Sequence, residues 1–79
     1  MTVKSTFTRE YNAFLVVLIA ARKRQGLTQQ AVADLLEKPQ SFVSKYESGE
    51  RRLDVVEFCW IAKAIKEDPV ALLREMGLA

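Results

Sequence analysis

The sequence predicts an all-α domain of five short helices, and three observations carry that reading. Thr6 or Thr8, then Thr28, Asp54 and Asp68, are of helix-capping type, and each precedes a stretch whose apolar residues repeat every three or four positions. Gly26, Pro39, Gly49 and Gly77 punctuate those stretches where helices stop. No segment shows the strict alternation of a half-buried strand. With 79 residues, 49% apolar and 28% charged, residues 1–79 read as one globular domain with a thin core.

The first helix starts at a threonine cap, Thr6 or Thr8, and runs to about Arg24, where Gly26 supplies the left-handed position that helix ends favour. Leu15, Leu18, Ile19 and Arg22 form its buried stripe, so Arg22 requires a buried partner. The run from Ala13 to Ala21 is continuously apolar, but as a helix it reaches only ~14 Å, about half a bilayer, and its basic residues follow it. It reads as a buried helix, with no membrane span or leader. Val16 and Val17 widen its apolar surface, to be covered by Thr2–Phe7 or by a second subunit.

Thr28 caps the second helix, Gln29 to Leu36, with Val32, Ala33 and Leu36 inward. Pro39 ends it by pushing the preceding residue out of helical space. The third helix runs from Pro39 or Gln40 to Ser48 and ends at Gly49. Asp54 and Glu57 have capping-box spacing and open the fourth, which ends near Ile65 with Val55, Phe58, Ile61, Ala62 and Ile65 inward. Asp68 and Pro69 are a cap and an N1 proline, so the fifth helix carries Val70 to Met76 and stops at Gly77.

The composition excludes several functions. With no histidine there is no histidine relay, ligand or triad, and a single cysteine, Cys59, makes neither an intrachain disulfide nor a multi-cysteine metal site. Cys59 lacks an activating neighbour and reads as packing; one unpaired thiol suits a reducing cytoplasm. Three dispersed glycines form no phosphate cradle. No catalysis, cofactor, metal or small-molecule ligand is expected, and with two residues after Gly77 no sensing domain follows.

The second and third helices are each about two turns long and joined by a few residues. They are too short to stand alone and must pack steeply against the rest. Two such helices joined by a tight turn describe a helix-turn-helix, residues 28–48, whose second helix enters the DNA major groove. The stretches Leu27-Thr-Gln-Gln-Ala-Val-Ala-Asp-Leu-Leu36 and Gln40-Ser-Phe-Val-Ser-Lys-Tyr-Glu-Ser-Gly-Glu-Arg-Arg52 strongly resemble phage-repressor-like helix-turn-helix proteins, the Cro-type or xenobiotic-response-element (XRE) family. The resemblance covers about Leu15 to Leu73 and implies a five-helix, lambda-repressor-like DNA-binding domain.

By that resemblance Gln29 grips a backbone phosphate, in keeping with a main-chain N–H at a helix N-terminus. Gln40, Ser41, Ser44 and Lys45 fall where the family's third helix reads base edges. Helical geometry agrees for three of them: Val43, Tyr46 and Glu47 share one face, while Ser41, Ser44, Lys45 and Ser48 share the other. Small hydroxyl residues are poor helix formers and let that face approach a groove closely. Lys45 suits guanine O6/N7 and Gln40 suits adenine. Phe42, on the flank, packs on a sugar or a thymine methyl, or else shields the turn. Arg51 and Arg52 look like phosphate clamps, and Arg24 joins Arg22 and Lys23 in a second basic cluster. Residues 22–52 carry seven basic and four acidic side chains, and residues 53–79 three and five. That excess is modest, so specific binding needs two copies on one site. In the family the arginine at Arg22 pairs with the glutamate ending the third helix, here Glu47. Many relatives have a turn glycine where this chain has Glu37, so Glu37 is left-handed at about 1 kcal/mol, or the turn is rebuilt around Pro39.

Val56 and Trp60 lie one turn apart, off the core stripe of the fourth helix, and an exposed tryptophan suggests an interface. Leu72, Leu73 and Met76 complete a candidate homodimer patch; alternatively the fifth helix folds over Trp60. The leading function is a dimeric, sequence-specific regulator of transcription, a repressor or a controller, acting on double-stranded DNA in the cytoplasm. The alternative is a protein-interaction module of the same fold with a protein partner such as a toxin.

Overall fold

Four of the five helices begin where a side-chain oxygen takes an amide that the first turn leaves unpaired. Thr8 accepts from the Tyr11 amide, Thr28 from Ala31, Asp54 from Glu57 and Asp68 from Val70. The Glu57 carboxylate in turn accepts from the Asp54 amide, which closes the capping box. The helices are α1 (Arg9–Arg24), α2 (Gln29–Leu36), α3 (Gln40–Glu47), α4 (Val55–Ala64) and α5 (Pro69–Glu75), with no strand among the described residues. The structure, a computed structural model, describes residues 8–78; Thr6 as a cap and the cover expected from Thr2–Phe7 lie outside them. Pro39 is the N-cap of α3 rather than its first residue, in extended backbone, and gives no side-chain cap.

Burial follows from the spacing of apolar residues. Leu18, Val32, Val43, Tyr46, Ile61, Ile65 and Leu72 are the largest fully enclosed side chains, so each helix contributes to a single core. α2 packs on both α3 and α4, while α1 packs on α3 and α5. On α1 the enclosed face is Tyr11, Leu15, Leu18 and Ala21, with Ile19 only half-buried at its flank.

Two expectations are corrected here. Val55 shares the period of the α4 core stripe but is 75% exposed, because it is the first helical residue and lies beyond the edge of the elements α4 packs on. Leu72 and Met76 are core residues, 0% and 8% exposed, and Leu73 is half-buried against the same core. α5 folds back onto α1 and α4 with Leu72 and Met76 beneath it, so these two form no free patch. Trp60 stays 48% exposed, not covered by α5.

The turn between α2 and α3 carries local strain. Glu37 adopts φ 58° and ψ 43°, the left-handed region in which a Cβ crowds the following carbonyl. Its amide donates to Asp34 and the Lys38 amide to Ala33, so two end carbonyls of α2 are satisfied only in this geometry. Glu37→Gly should therefore raise unfolding stability by up to about 1 kcal/mol, read as a higher denaturation midpoint at unchanged slope. An unchanged or lower midpoint would show that the turn holds no such strain.

Candidate nucleic-acid interface

The site is built around a charge that its own sequence forces inside. Arg22 lies on the inner side of α1, where its guanidinium must use its donors within the protein. Nε donates to Glu47 Oε2 at 2.7 Å, Nη2 to Glu47 Oε1 at 3.1 Å and Nη1 to the Leu27 carbonyl at 2.8 Å. The two side chains are 12% and 6% exposed. The hydrogen bonds that Arg22 donates to Glu47 are the chief reason its pKa is raised further above its ordinary value.

Glu47 also accepts from Gln29 Nε2 at 2.9 Å, and Gln29 Oε1 accepts from Gln40 Nε2 at 2.7 Å. One relay thus joins α1, the end of α3, the start of α2 and the start of α3. Gln40 is thereby held half-buried against Gln29 at the mouth of the turn. Val43 and Tyr46 anchor α3 from below, while Ser41 and Lys45 face outward and Ser44 lies half-buried between them. The outward face is flat and small, with Lys45 its cation. Burial pushes the Tyr46 phenol well above its ordinary pKa, so its hydroxyl stays protonated in the core.

The remaining expected backbone contacts divide into two groups. At the α2 N-terminus the helix presents first-turn amides, Gln29 among them, although the Gln29 side chain is engaged in the relay. The Arg52 guanidinium lies 4.0 Å over the Tyr11 ring, whose hydroxyl accepts from the Leu53 amide. Arg51 donates two bonds to Glu57, at 2.7 and 3.1 Å, and stacks 4.9 Å over Phe42. Phe42 packs on the core, edge-on to Tyr46, beneath Arg51 and Lys38, so its contacts here are internal ones that shield the turn.

Arg24, the other expected backbone contact, is engaged by carboxylates as Arg51 is. It donates two bonds to Glu67, at 3.0 and 3.2 Å, and lies 3.5 Å from Glu75, tying α1 to the α4–α5 connection and to the end of α5. Hydrogen bonds from Arg24, and then from Gln25, hold Glu67 below its ordinary carboxylate pKa. Those from Arg51, and then the Asp54 amide, do the same for Glu57. Three arginines of the basic region, Arg22, Arg24 and Arg51, are thus already paired with carboxylates. Among the described residues no cluster of His, Cys, Asp or Glu could hold a metal ion, and no helix is long and apolar enough to cross a membrane.

A family model described as helix-turn-helix matches residues 18–72, from the middle of α1 into α5. An XRE-family-like protein from Pseudomonas syringae pv. tomato str. DC3000 shares the fold with a TM-score of 0.83 and 48% identity, over 86% of this chain and 83% of its own. The chain belongs to the XRE family of helix-turn-helix proteins. The restriction-modification controller protein C.AhdI from Aeromonas hydrophila is similar at 28% identity and a TM-score of 0.71, over 87% of this chain and 98% of its own. The clp gene regulator ClgR from C. glutamicum, at 17% identity and a TM-score of 0.79 over 90% of this chain and 92% of its own, shares the fold. No curated protein sequence matches. Membership in the XRE family makes the chain a DNA-binding transcriptional regulator and not a member of an enzyme family.

In this XRE domain the Gln29–Gln40 bond escaped the sequence, where each glutamine stood alone as a DNA contact. Its one sequence-level signal was two amides flanking a short turn. The Arg24–Glu67 tie left no signal, since the partners are 43 positions apart. Arg22→Ala should cost about 3 kcal/mol of unfolding free energy, because Glu47 would keep its charge in a largely enclosed position with only Gln29 beside it. A variant as stable as the parent in chemical denaturation would refute this.

Proposed function

We propose that two copies of the chain bind one two-fold symmetric operator, each laying α3 in the major groove. The observation that carries this reading is the outward face of α3, small at Ser41 and Ser44 and cationic at Lys45, on a helix fixed at both ends by the Arg22–Glu47–Gln29–Gln40 relay. Ser41 and Ser44 admit the helix deeply, Lys45 meets guanine O6/N7, and Gln40 meets adenine as a member of the relay. The α2 N-terminus with Gln29, and Arg52 beside Tyr11, hold backbone phosphates, positioning the helix without reading sequence. Arg51 exchanges Glu57 for phosphate on binding, keeping its stack on Phe42.

A net charge of +2 gives weak non-specific attraction, and that favours paired binding. The interface between copies is the exposed apolar surface at the start of α4 and the end of α5. Val55, Leu73 and Leu78 share a recess of about 320 Å³ there with Phe58 and Phe14. Val56, 55% exposed, extends it along α4. Similarity to a restriction-modification controller supports a controller or repressor acting on DNA in the cytoplasm.

Selection of sites from random duplex DNA at two salt concentrations tests this reading. It should enrich a two-fold symmetric motif with half-sites about one DNA turn, ~34 Å, apart. Lys45→Ala should lose about tenfold or more for the selected site and relax one position of the motif. Arg52→Ala should instead weaken all sequences alike. Absence of any enriched motif at low salt, or an unchanged motif and affinity in Lys45→Ala, would overturn the reading. Val56→Glu should shift sedimentation toward monomer, and a dimer unaffected by it would move the interface elsewhere.

A further inference from the structure

One surface is left unused by the DNA reading and by the proposed contact between copies. Between α2 and α4 runs an open groove of about 390 Å³, lined by Leu35, Leu36, Lys38, Trp60, Lys63 and Ala64. Leu35 is 57% exposed and Trp60 48%, a solvent-facing aliphatic and aromatic pair of the kind that anchors binding partners. Trp60 lies about 140° around α4 from Val55, so the groove and the recess at Val55 share no lining residue, and Val56 stands between them on the helix surface.

The charge of the groove is one-sided. Its two charged lining residues are lysines, and neither makes an ion pair among the described residues. Lys38 Nζ stands 5.8 Å from the Trp60 ring centroid and 5.6 Å from that of Phe42, held at the groove mouth by two aromatic faces. Glu57, whose pKa Lys38 helps to lower, is already engaged by Arg51 through two hydrogen bonds. Two ammonium groups therefore border an apolar cleft that offers them no carboxylate.

We propose that this groove docks an acidic segment of another protein. One aliphatic or aromatic side chain of the segment enters beside Trp60 and Leu35, while flanking carboxylates meet Lys38 and Lys63. Charge complementarity selects this occupant. Pairing of two copies across the groove would bring four ammonium groups together with no carboxylate in the seam. A single nucleic-acid strand would need stacking platforms for successive bases, whereas Leu35, Leu36 and Ala64 make the rest of the walls aliphatic. The proposal is independent of the DNA reading, since Ser41, Ser44 and Lys45 take no part in the groove.

Trp60 is the single tryptophan of the chain, so its emission reports the groove directly. The test selects short random peptides on the full chain, then titrates each enriched peptide against Trp60 fluorescence. The expected motif is an aliphatic or aromatic residue flanked by Asp or Glu, and its binding should shift Trp60 emission saturably to shorter wavelength. Lys63→Glu should weaken that binding about tenfold and favour peptides with lysine in place of the acids. Trp60→Ala, followed through the anisotropy of a dye-labelled peptide because that variant has no tryptophan, should abolish it. Both side chains are exposed, so both variants should keep the parent's helical circular dichroism. Any of four results would overturn the proposal: no shared motif, a basic motif, equal binding to Lys63→Glu, or emission that moves only with chain concentration or with a single-stranded oligonucleotide.

Discussion

A guanidinium that α1 carries to the edge of the core is the constraint around which this domain is arranged. Arg22 has three donor sites occupied, two by one carboxylate and one by the Leu27 carbonyl. The carboxylate comes from the last residue of α3 and the carbonyl from the segment that leads into α2. The pair therefore dictates where α3 ends and how the helix-turn-helix meets α1. Because withdrawing both charges from water is costly, such a pair contributes more to a defined geometry than to net stability. Gln29 and Gln40 extend that geometry to the other end of α3, so the two-turn helix is fixed at its first and last residues by polar contacts and from beneath by Val43 and Tyr46. A two-turn helix has no persistence of its own, and these contacts supply it.

The same economy of charge shapes the DNA face. The basic excess of residues 22–52 is modest in the sequence, and folding commits Arg22, Arg24 and Arg51 to carboxylates. Phosphate attraction in such a protein is weak, and in the proposed reading discrimination falls to the shape of α3 and to the use of two copies. The α2–α4 groove shows the opposite arrangement, lysines without carboxylates, which is why it stands apart as a surface awaiting a partner.

Much of this was legible in the sequence because the fold is punctuated by local chemistry. Thr28, Asp54 with Glu57, and the Asp68-Pro69 pair placed three helix starts to the residue, since a cap acts over three positions and needs nothing from the rest of the chain. Periodicity was less secure at helix ends. Val55 has the phase of a core residue but sits on the first turn, outside the packed length of α4. Leu72 and Met76 were misplaced for a related reason: α5 is seven residues long, and its inner face depends on how it folds back over α1 and α4. The pairing of Arg24 was not legible because its partners, Glu67 and Glu75, are brought near only by tertiary packing. Glu37 is the reverse case. The sequence posed two ways to build the turn, and the backbone adopts the strained left-handed one.

Whether the Arg22 relay sets the reading angle of α3, beyond holding the domain together, is decided most directly by Arg22→Lys. Lysine keeps the charge but its single ammonium cannot reproduce the planar fork that reaches Glu47 and Leu27 at once. Its affinity for the selected operator should be measured well below its unfolding transition, where circular dichroism shows full helix. The account predicts a fall of about tenfold or more in a fully folded protein. Affinity equal to the parent's in that folded variant would contradict it, and would reduce the relay to a contributor to stability alone.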